Sequence, residues 1–288
     1  MRQAVGRAVR VNGRSVYVEE SGTGPEWVVF EAGGGLGRTC WDPVLPLLTD
    51  RGRLVAYDRA GFGRSGRTAV QLGIDDMAAD LVAMVEAVVP GPFVLVAHSM
   101  GGLVARRAVE RLGPRLRGLL LLDPTPESAP VYDTFNQTAT KVDRAMGVTQ
   151  ALVQSRSLAR LVSGNVRRVF PADTYAAMLA EDFVPAGIAQ TRKEFKAVAA
   201  AIPQLRAEPP GLPVCPTVLL SASRPVKGRG QQHAVIAEHQ RRWVQTLPDG
   251  QFEKVDSGHF IQAEQPGIVA DRVGHLLDQA LGRRVRSA

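Results

Sequence analysis

Cysteine is almost missing from the 288 residues: there are two, Cys40 and Cys215, and they form no Cys-x-x-Cys pair. That excludes a disulfide framework and a cysteine-based metal finger, and leaves each thiol reading as a small core residue. Long apolar runs are missing too. None approaches the ~18 consecutive residues of a membrane helix. The stretch from Met1 to Arg14 is charged and has no apolar segment, so it does not read as a signal peptide. A soluble, cytoplasmic protein with no membrane partner is the expectation. Lysine is scarce beside arginine. The net charge is nevertheless +7 and the isoelectric point near 9.9. The cations are scattered and not interleaved with aromatics, and their densest cluster is the short tail Arg283-Arg284-Val285-Arg286. A nucleic-acid partner is therefore not expected. There is no internal repeat and no low-complexity segment.

Hydrophobic residues make up 45 % of the chain, enough for a sizeable core in one large domain or two small ones. The most informative stretch runs from Phe93 to Gly102. Apolar residues Phe93 to Ala97 lead into His98-Ser99-Met100-Gly101-Gly102, after which Leu103, Val104, Arg107 and Ala108 follow at helical spacing. A buried strand that turns abruptly into a helix holds its turn residue, Ser99, in a strained backbone at the top of a sheet. Small residues are needed two before and two after, and Ala97 and Gly101 supply them. The plainer reading is that Ser99 only caps the helix.

The rest of the chain bears on that choice. Val9 to Glu20 alternates around Asn12-Gly13, as an edge hairpin does. Trp27 to Phe30 reads as a strand buried on both faces and runs into Glu31-Ala32-Gly33-Gly34-Gly35-Leu36-Gly37. So many glycines make a loop where backbone must approach something closely. A flexible turn is one reading. A phosphate cradle lacks its Gly-Lys-Ser/Thr ending. An oxyanion loop, with N–H groups aimed at charge developing on a carbonyl oxygen, is the third. Trp41 to Leu48 looks helical, with Pro46 disturbing it. Strands follow at Arg53 to Tyr57, before Asp58-Arg59-Ala60-Gly61-Phe62-Gly63-Arg64-Ser65, and at Gly118 to Leu122, ending at Asp123-Pro124. Between them lies a helical stripe from Ile74 to Val89. Alternating strands and helices predict a parallel sheet with chemistry at the carboxyl ends of its strands.

From Thr125 to about Gly211 the alternation stops. Helices are expected over Phe135 to Met146, Thr149 to Val162, Asp173 to Glu181 and Gln190 to Ala201, with Pro203 and the prolines after it marking the return. An insertion at that edge of a sheet tends to cover the site as a lid. Thr217 to Ser221 resumes the sheet, Ala234 to Leu247 is a helix, Gln251 to Val255 the last strand and Ile268 to Ala280 the closing helix.

A serine hydroxyl needs a base within hydrogen-bond reach. Of the five histidines, His98 reads as structural, with its side chain pointing away from Ser99. His233, His239 and His275 fall on or beside helices. His259 sits in Asp256-Ser257-Gly258-His259-Phe260, after the last strand and at the same sheet edge as Ser99. It is the candidate base.

Taken together, Glu31-Ala32-Gly33-Gly34-Gly35, Tyr57 to Ser65, Ala97 to Gly102 and Ser257 to Phe260 resemble, in order, the motifs of the α/β-hydrolases, in their lidded single-domain branch. The resemblance implies a mostly parallel eight-stranded sheet with helices on both faces and a helical cap after the sixth strand. Residues 1–124 and 212–288 would form the core and 125–211 the cap. It implies a Ser-acid-His triad with Ser99 as nucleophile and His259 as base, no metal and no cofactor. It also implies an oxyanion hole from the N–H groups of Met100 and, aligning Ala32-Gly33 with the usual His-Gly pair, Gly34. Asp58 and Arg59 match a loop of structural role. Ala97 replaces a glycine and Ala32 a frequent histidine. The largest departure is the acid. The position after the seventh strand reads Ser221-Ala222-Ser223-Arg224-Pro225 and holds no carboxylate. Asp58 is expected to brace its own loop, and Asp256 lies too near His259 along the chain. Asp123, ending the strand beside Ser99, is therefore the expected acid, with Glu127 next; the plainer role for Asp123 is to cap the turn into Pro124.

A serine nucleophile points to acyl transfer from a small-molecule carboxylic ester, or from a lactone, thioester or amide. Acyl transfer to another acceptor, carbon–carbon bond hydrolysis and a non-catalytic ligand receptor on the same fold are the alternatives. Oligomeric state is not legible.

Overall fold

Short apolar runs that end in glycine or a turn form strands here. The computed structural model describes residues 5–133, 135–226 and 228–282, so the basic tail at 283–286 lies outside the described residues. Eight strands, β1 (Val5–Val11), β2 (Arg14–Ser21), β3 (Glu26–Glu31), β4 (Gly52–Asp58), β5 (Phe93–His98), β6 (Leu116–Leu122), β7 (Thr217–Ala222) and β8 (Gly250–Val255), make one sheet. Their order is β1-β2-β4-β3-β5-β6-β7-β8. β2 is antiparallel to β1 and β4, and every other neighbouring pair is parallel. The β1–β2 turn has φ of 46° at Asn12 and 79° at Gly13, the two positive values a tight hairpin needs to match strand twist.

The helices are α1 (Ile74–Val88), α2 (Met100–Leu112), α3 (Phe135–Leu152), α4 (Arg156–Val162), α5 (Gly164–Arg167), α6 (Ala172–Glu181), α7 (Pro185–Ala207), α8 (Gly230–Gln245), α9 (Ile261–Glu264) and α10 (Pro266–Ala280). Strand residues alternate between two cores. Val29, Leu95 and Leu119 pack with Leu81 of α1 and Leu103 of α2. Val28, Phe30, Val96 and Leu120 pack with Val273 and Leu276 of α10 on the other face.

α3 to α7 all lie between β6 and β7, and no strand interrupts them among the described residues. Three sequence boundaries are corrected. Trp41 to Leu48 is not one helix but two 3-10 turns, Arg38–Trp41 and Leu45–Leu47, because Pro46 at the start of the second cannot donate into a continuing helix. The segment from Thr149 to Val162 breaks after α3 and restarts at Arg156. Pro203 does not mark the return: it lies inside the 23-residue α7, carried by the buried flanking residues Ile202 and Leu205. Among the described residues no helix is long and apolar enough to cross a membrane.

Candidate active site

Ser99 follows β5 directly with φ 53° and ψ −121°, a conformation L-residues rarely adopt. The turn is pinned from β6: Ser99 N donates to Leu122 O at 3.0 Å and Thr125 N to Ser99 O at 3.1 Å. Glycine is required at 101, because a Cβ there would stand 2.5 Å from Ala32 O. Helix α2 thus rests directly on the backbone of the glycine loop.

From this turn a line of hydrogen bonds runs inward. Ser99 Oγ lies 2.9 Å from His259 Nε2, and His259 Nδ1 lies 2.6 Å from Asp123 Oδ2. Asp123 is also held at positive φ, 40°. With the carboxylate accepting, the ring carries its proton on Nδ1, and Nε2 is left to accept from the serine. Asp123 is 8 % exposed. Burial works to raise its pKa, but the hydrogen bond and charge of His259 and the amide of Gln240 outweigh it and hold Asp123 below the usual carboxylate range.

Three further polar residues surround the line: Gln240 and Ser221, which carry no site signal in the sequence, and His98, which reads there as structural. Gln240 of α8 donates from Nε2 to Asp123 Oδ1 at 3.0 Å and to Pro124 O at 2.8 Å. Ser221 of β7 donates to Gln240 Oε1 at 2.7 Å. Through Gln240, the Ser221 hydroxyl of β7 is thus linked to the Asp123 carboxylate. His98, expected to point away, lies with its ring centroid 4.7 Å from that of His259, and its Nε2 is 2.9 Å from His259 O. Burial pushes its pKa down to about 3, so it is a neutral donor to that carbonyl.

Glu127 is not at this site. Its carboxylate takes two hydrogen bonds from Arg106 of α2, at 2.6 and 2.8 Å. Asp58 braces its loop as expected, accepting from the N–H groups of Arg38 and Arg64 at 2.8 and 2.9 Å. Asp256 pairs with Arg224 at 3.3 Å on the surface. Cys40 and Cys215 are both buried and free. His239, next to Gln240 in the chain, bonds Ser128 instead at 2.9 Å.

Ser99, His259 and Asp123 open on a cavity of about 480 Å³. Gly34 and Met100 line it beside them, and an ideal Cβ on Gly34 would lie 3.5 Å from that of Met100. The N–H of Met100 opens α2, where first-turn amides have no partner within the helix. Leu36, Phe195 and Val198 of α7, Ile236 of α8 and Phe260 give the cavity an apolar wall, and Arg229 also lines it. Among the described residues no group of three or more histidine, cysteine or acidic side chains is placed to hold a metal ion.

The model of the alpha/beta hydrolase family matches residues 28–272, and the chain belongs to that family. Curated relatives match over shorter stretches. A Bacillus subtilis protein named YqjL is 32% identical over 98 residues, 34% of this chain and 39% of that protein. A non-heme haloperoxidase of Rhodococcus erythropolis is 32% identical over 148 residues, 51% of this chain and 53% of that one. The chain thus spans about half, or less, of the length of the curated relatives it matches. Among solved structures, a thermophilic esterase from Thermogutta terrifontis superposes with TM-score 0.69 at 22% identity, over 96% of this chain and 99% of that one. At that identity the likeness is one of fold.

Proposed function

We propose that the protein is a serine hydrolase that cleaves a carboxylic ester, or a related acyl bond, of a small molecule through an acyl-enzyme. The observation that carries the reading is the unbroken line from Ser99 Oγ through His259 to Asp123, at 2.9 and 2.6 Å. Ser99 attacks the carbonyl carbon as His259 Nε2 takes its proton. The charge that develops on the carbonyl oxygen falls to the N–H groups of Gly34 and Met100, and Asp123 stabilises the imidazolium. His259 returns the proton to the leaving alcohol, and water repeats the sequence on the acyl-enzyme. Nucleophile and proton carrier are both side chains, so the scheme needs no cofactor.

Residues 125–211 serve in this reading as a lid over a core of 1–124 and 212–288. The support is that Tyr132, Phe195 and Val198, all from that segment, wall the cavity above Ser99. The apolar wall suits an acyl or alkyl group. Two buried, unpaired cysteines suit a reducing compartment, so we place the enzyme in the cytoplasm.

The test is labelling and turnover. A fluorophosphonate probe is expected to modify Ser99, and the Ser99→Ala variant is expected to take no label and to lose about 10⁴-fold or more of p-nitrophenyl ester turnover. Label at another residue, or full activity without Ser99, refutes the mechanism. A ligand receptor on this fold would show neither label nor turnover.

A further inference from the structure

The loop that carries Gly34 is built unlike a passive turn. Leu36 N donates to Gly33 O at 3.3 Å, and Gly35 has φ +77°, which together make a type II turn with Gly34 and Gly35 at its centre. Such a turn differs from its type I counterpart by rotation of the central peptide, here the one between Gly34 and Gly35. The peptide before it, between Gly33 and Gly34, carries the N–H assigned above to the oxyanion.

Both peptides are held from behind by buried charge. Arg59 Nη2 donates to Gly33 O at 2.7 Å and Nη1 to Ala32 O at 2.6 Å. In a planar trans peptide C=O and N–H point in opposite directions. Drawing Gly33 O toward Arg59 therefore turns Gly34 N–H the other way, and Gly34 lines the cavity. The second peptide is held by Glu194, whose Oε2 accepts from Gly35 N at 2.9 Å. The same carboxylate fixes the guanidinium, taking Arg59 Nε on Oε1 at 2.8 Å and Nη2 on Oε2 at 3.0 Å. Glu31 takes Nη1 at 2.8 Å. An ionised partner takes part in each of these bonds, and the Arg59 and Glu194 side chains are 6 % and 1 % exposed.

Glu194 does not belong to the sheet. It lies on α7, within the insertion between β6 and β7, next to the cavity-wall residue Phe195. Thr191, one turn earlier, seats that helix on the loop so closely that a Cβ on Gly35 would stand 2.7 Å from its methyl group.

We propose that Glu194 is a positioning residue that, with Arg59, clamps the two peptides flanking Gly34 so that its N–H faces the carbonyl oxygen of the substrate. The inserted helices then do more than wall the cavity: seating α7 assembles half of the oxyanion hole. The proposal rests on the assignment of Ser99 and Gly34 made under the proposed function.

Glu194→Ala and Glu194→Gln test it, by steady-state kinetics on a p-nitrophenyl ester, by the affinity of an aryl boronic acid that forms a tetrahedral adduct on Ser99, and by crystal structures of both variants. Loss of one oxyanion donor costs about 10²–10³ in kcat. Glu194→Ala is expected to lose that much kcat, with KM within about twofold of wild type and boronate affinity falling in parallel with kcat. Glu194→Gln, which keeps one acceptor, is expected to lose less. In the Ala structure the peptide between Gly34 and Gly35 is expected to be turned, with Gly35 N–H no longer facing residue 194. If Glu194→Ala does not fold, the Gln variant carries the same comparison. Unchanged kcat in a folded variant, a loss confined to KM, or an unaltered loop overturns the clamp. Failure of the wild type to turn over ester or take label at Ser99 overturns the hydrolase reading instead, and the loop conformation in the variants still decides the clamp.

Discussion

Replacing Asp123 by asparagine tests the acid at the level of single hydrogen atoms. The aspartate offers two acceptors to two donors, His259 Nδ1 at 2.6 Å and Gln240 Nε2 at 3.0 Å. Asparagine offers one acceptor and one amide donor, so one neighbour must meet N–H with N–H. Gln240 cannot turn round cheaply: its Oε1 takes the Ser221 hydroxyl at 2.7 Å and its Nε2 also serves Pro124 O at 2.8 Å. A buried donor left unmatched there costs about 1–3 kcal/mol. The His259 side chain is 44 % exposed and gives way by changing tautomer. Nδ1 then accepts from asparagine, and Nε2 carries a proton toward Ser99 and cannot act as base. The expected loss in kcat is about 10⁴, with the melting temperature close to wild type. Adding Gln240→Leu removes the competing donor and lets the asparagine carbonyl face His259. One neutral hydrogen bond is worth about 1 kcal/mol, so the double variant is expected to recover roughly five- to tenfold over Asp123→Asn. Initial rates on p-nitrophenyl butyrate, with thermal melts by circular dichroism, measure both. Wild-type turnover in Asp123→Asn refutes the acid assignment, and a further loss on adding Gln240→Leu refutes the tautomer argument.

Three other outcomes are expected. His259→Ala alone and Ser99→Ala/His259→Ala together are expected to show nearly the same turnover, since members of one proton-transfer unit are not additive; losses that multiply would separate them. Glu127→Gln breaks the buried pair with Arg106 and is expected to lower stability to denaturant by about 3–5 kcal/mol while the folded protein keeps its turnover. Burial, with help from the charge of Asp58, pushes the Asp182 pKa up to about 8. The folded state therefore holds a proton that the unfolded chain releases near pH 4, and stability from this group falls as pH rises from about 4 to about 8, by at most about 1.4 kcal/mol per pH unit. Equilibrium urea melts across that range are expected to show the decline in wild type and a flatter profile in Asp182→Asn.

The sheet and the turn at Ser99 were legible because their signals are local. Trp27 to Phe30 and Phe93 to Ala97 are short apolar runs, and Ala97 and Gly101 flank a serine between a strand and a helix. His259 was legible because a glycine loop after the last strand leaves little else at that edge. Asp123 followed from a gap at the end of β7, and the geometry puts its carboxylate on His259. Gln240 and Glu194 left no such trace. Gln240 meets Asp123 across 117 residues of chain and Glu194 meets Arg59 across 135. In sequence, each is one more polar residue on a helix, and only closing the fold shows that both are buried and paired. Helix limits in the insertion were misread where packing overrode Pro203 and where Ser155 interrupts an otherwise continuous stripe.

Helix α8 carries Ile236 on the cavity wall and, one turn later, Gln240 behind Asp123. Breadth of substrate range and turnover number are thereby mounted on the same rod. A lineage, natural or in the laboratory, that enlarges the cavity by trimming Ile236 loosens the helix just where it steadies the carboxylate. Bulkier substrates gained by that route would arrive with slower turnover, and winning the speed back would call for compensating changes at Val244 on the buried side of α8 or at Ser221 of β7, which bonds Gln240, well away from anything the substrate touches.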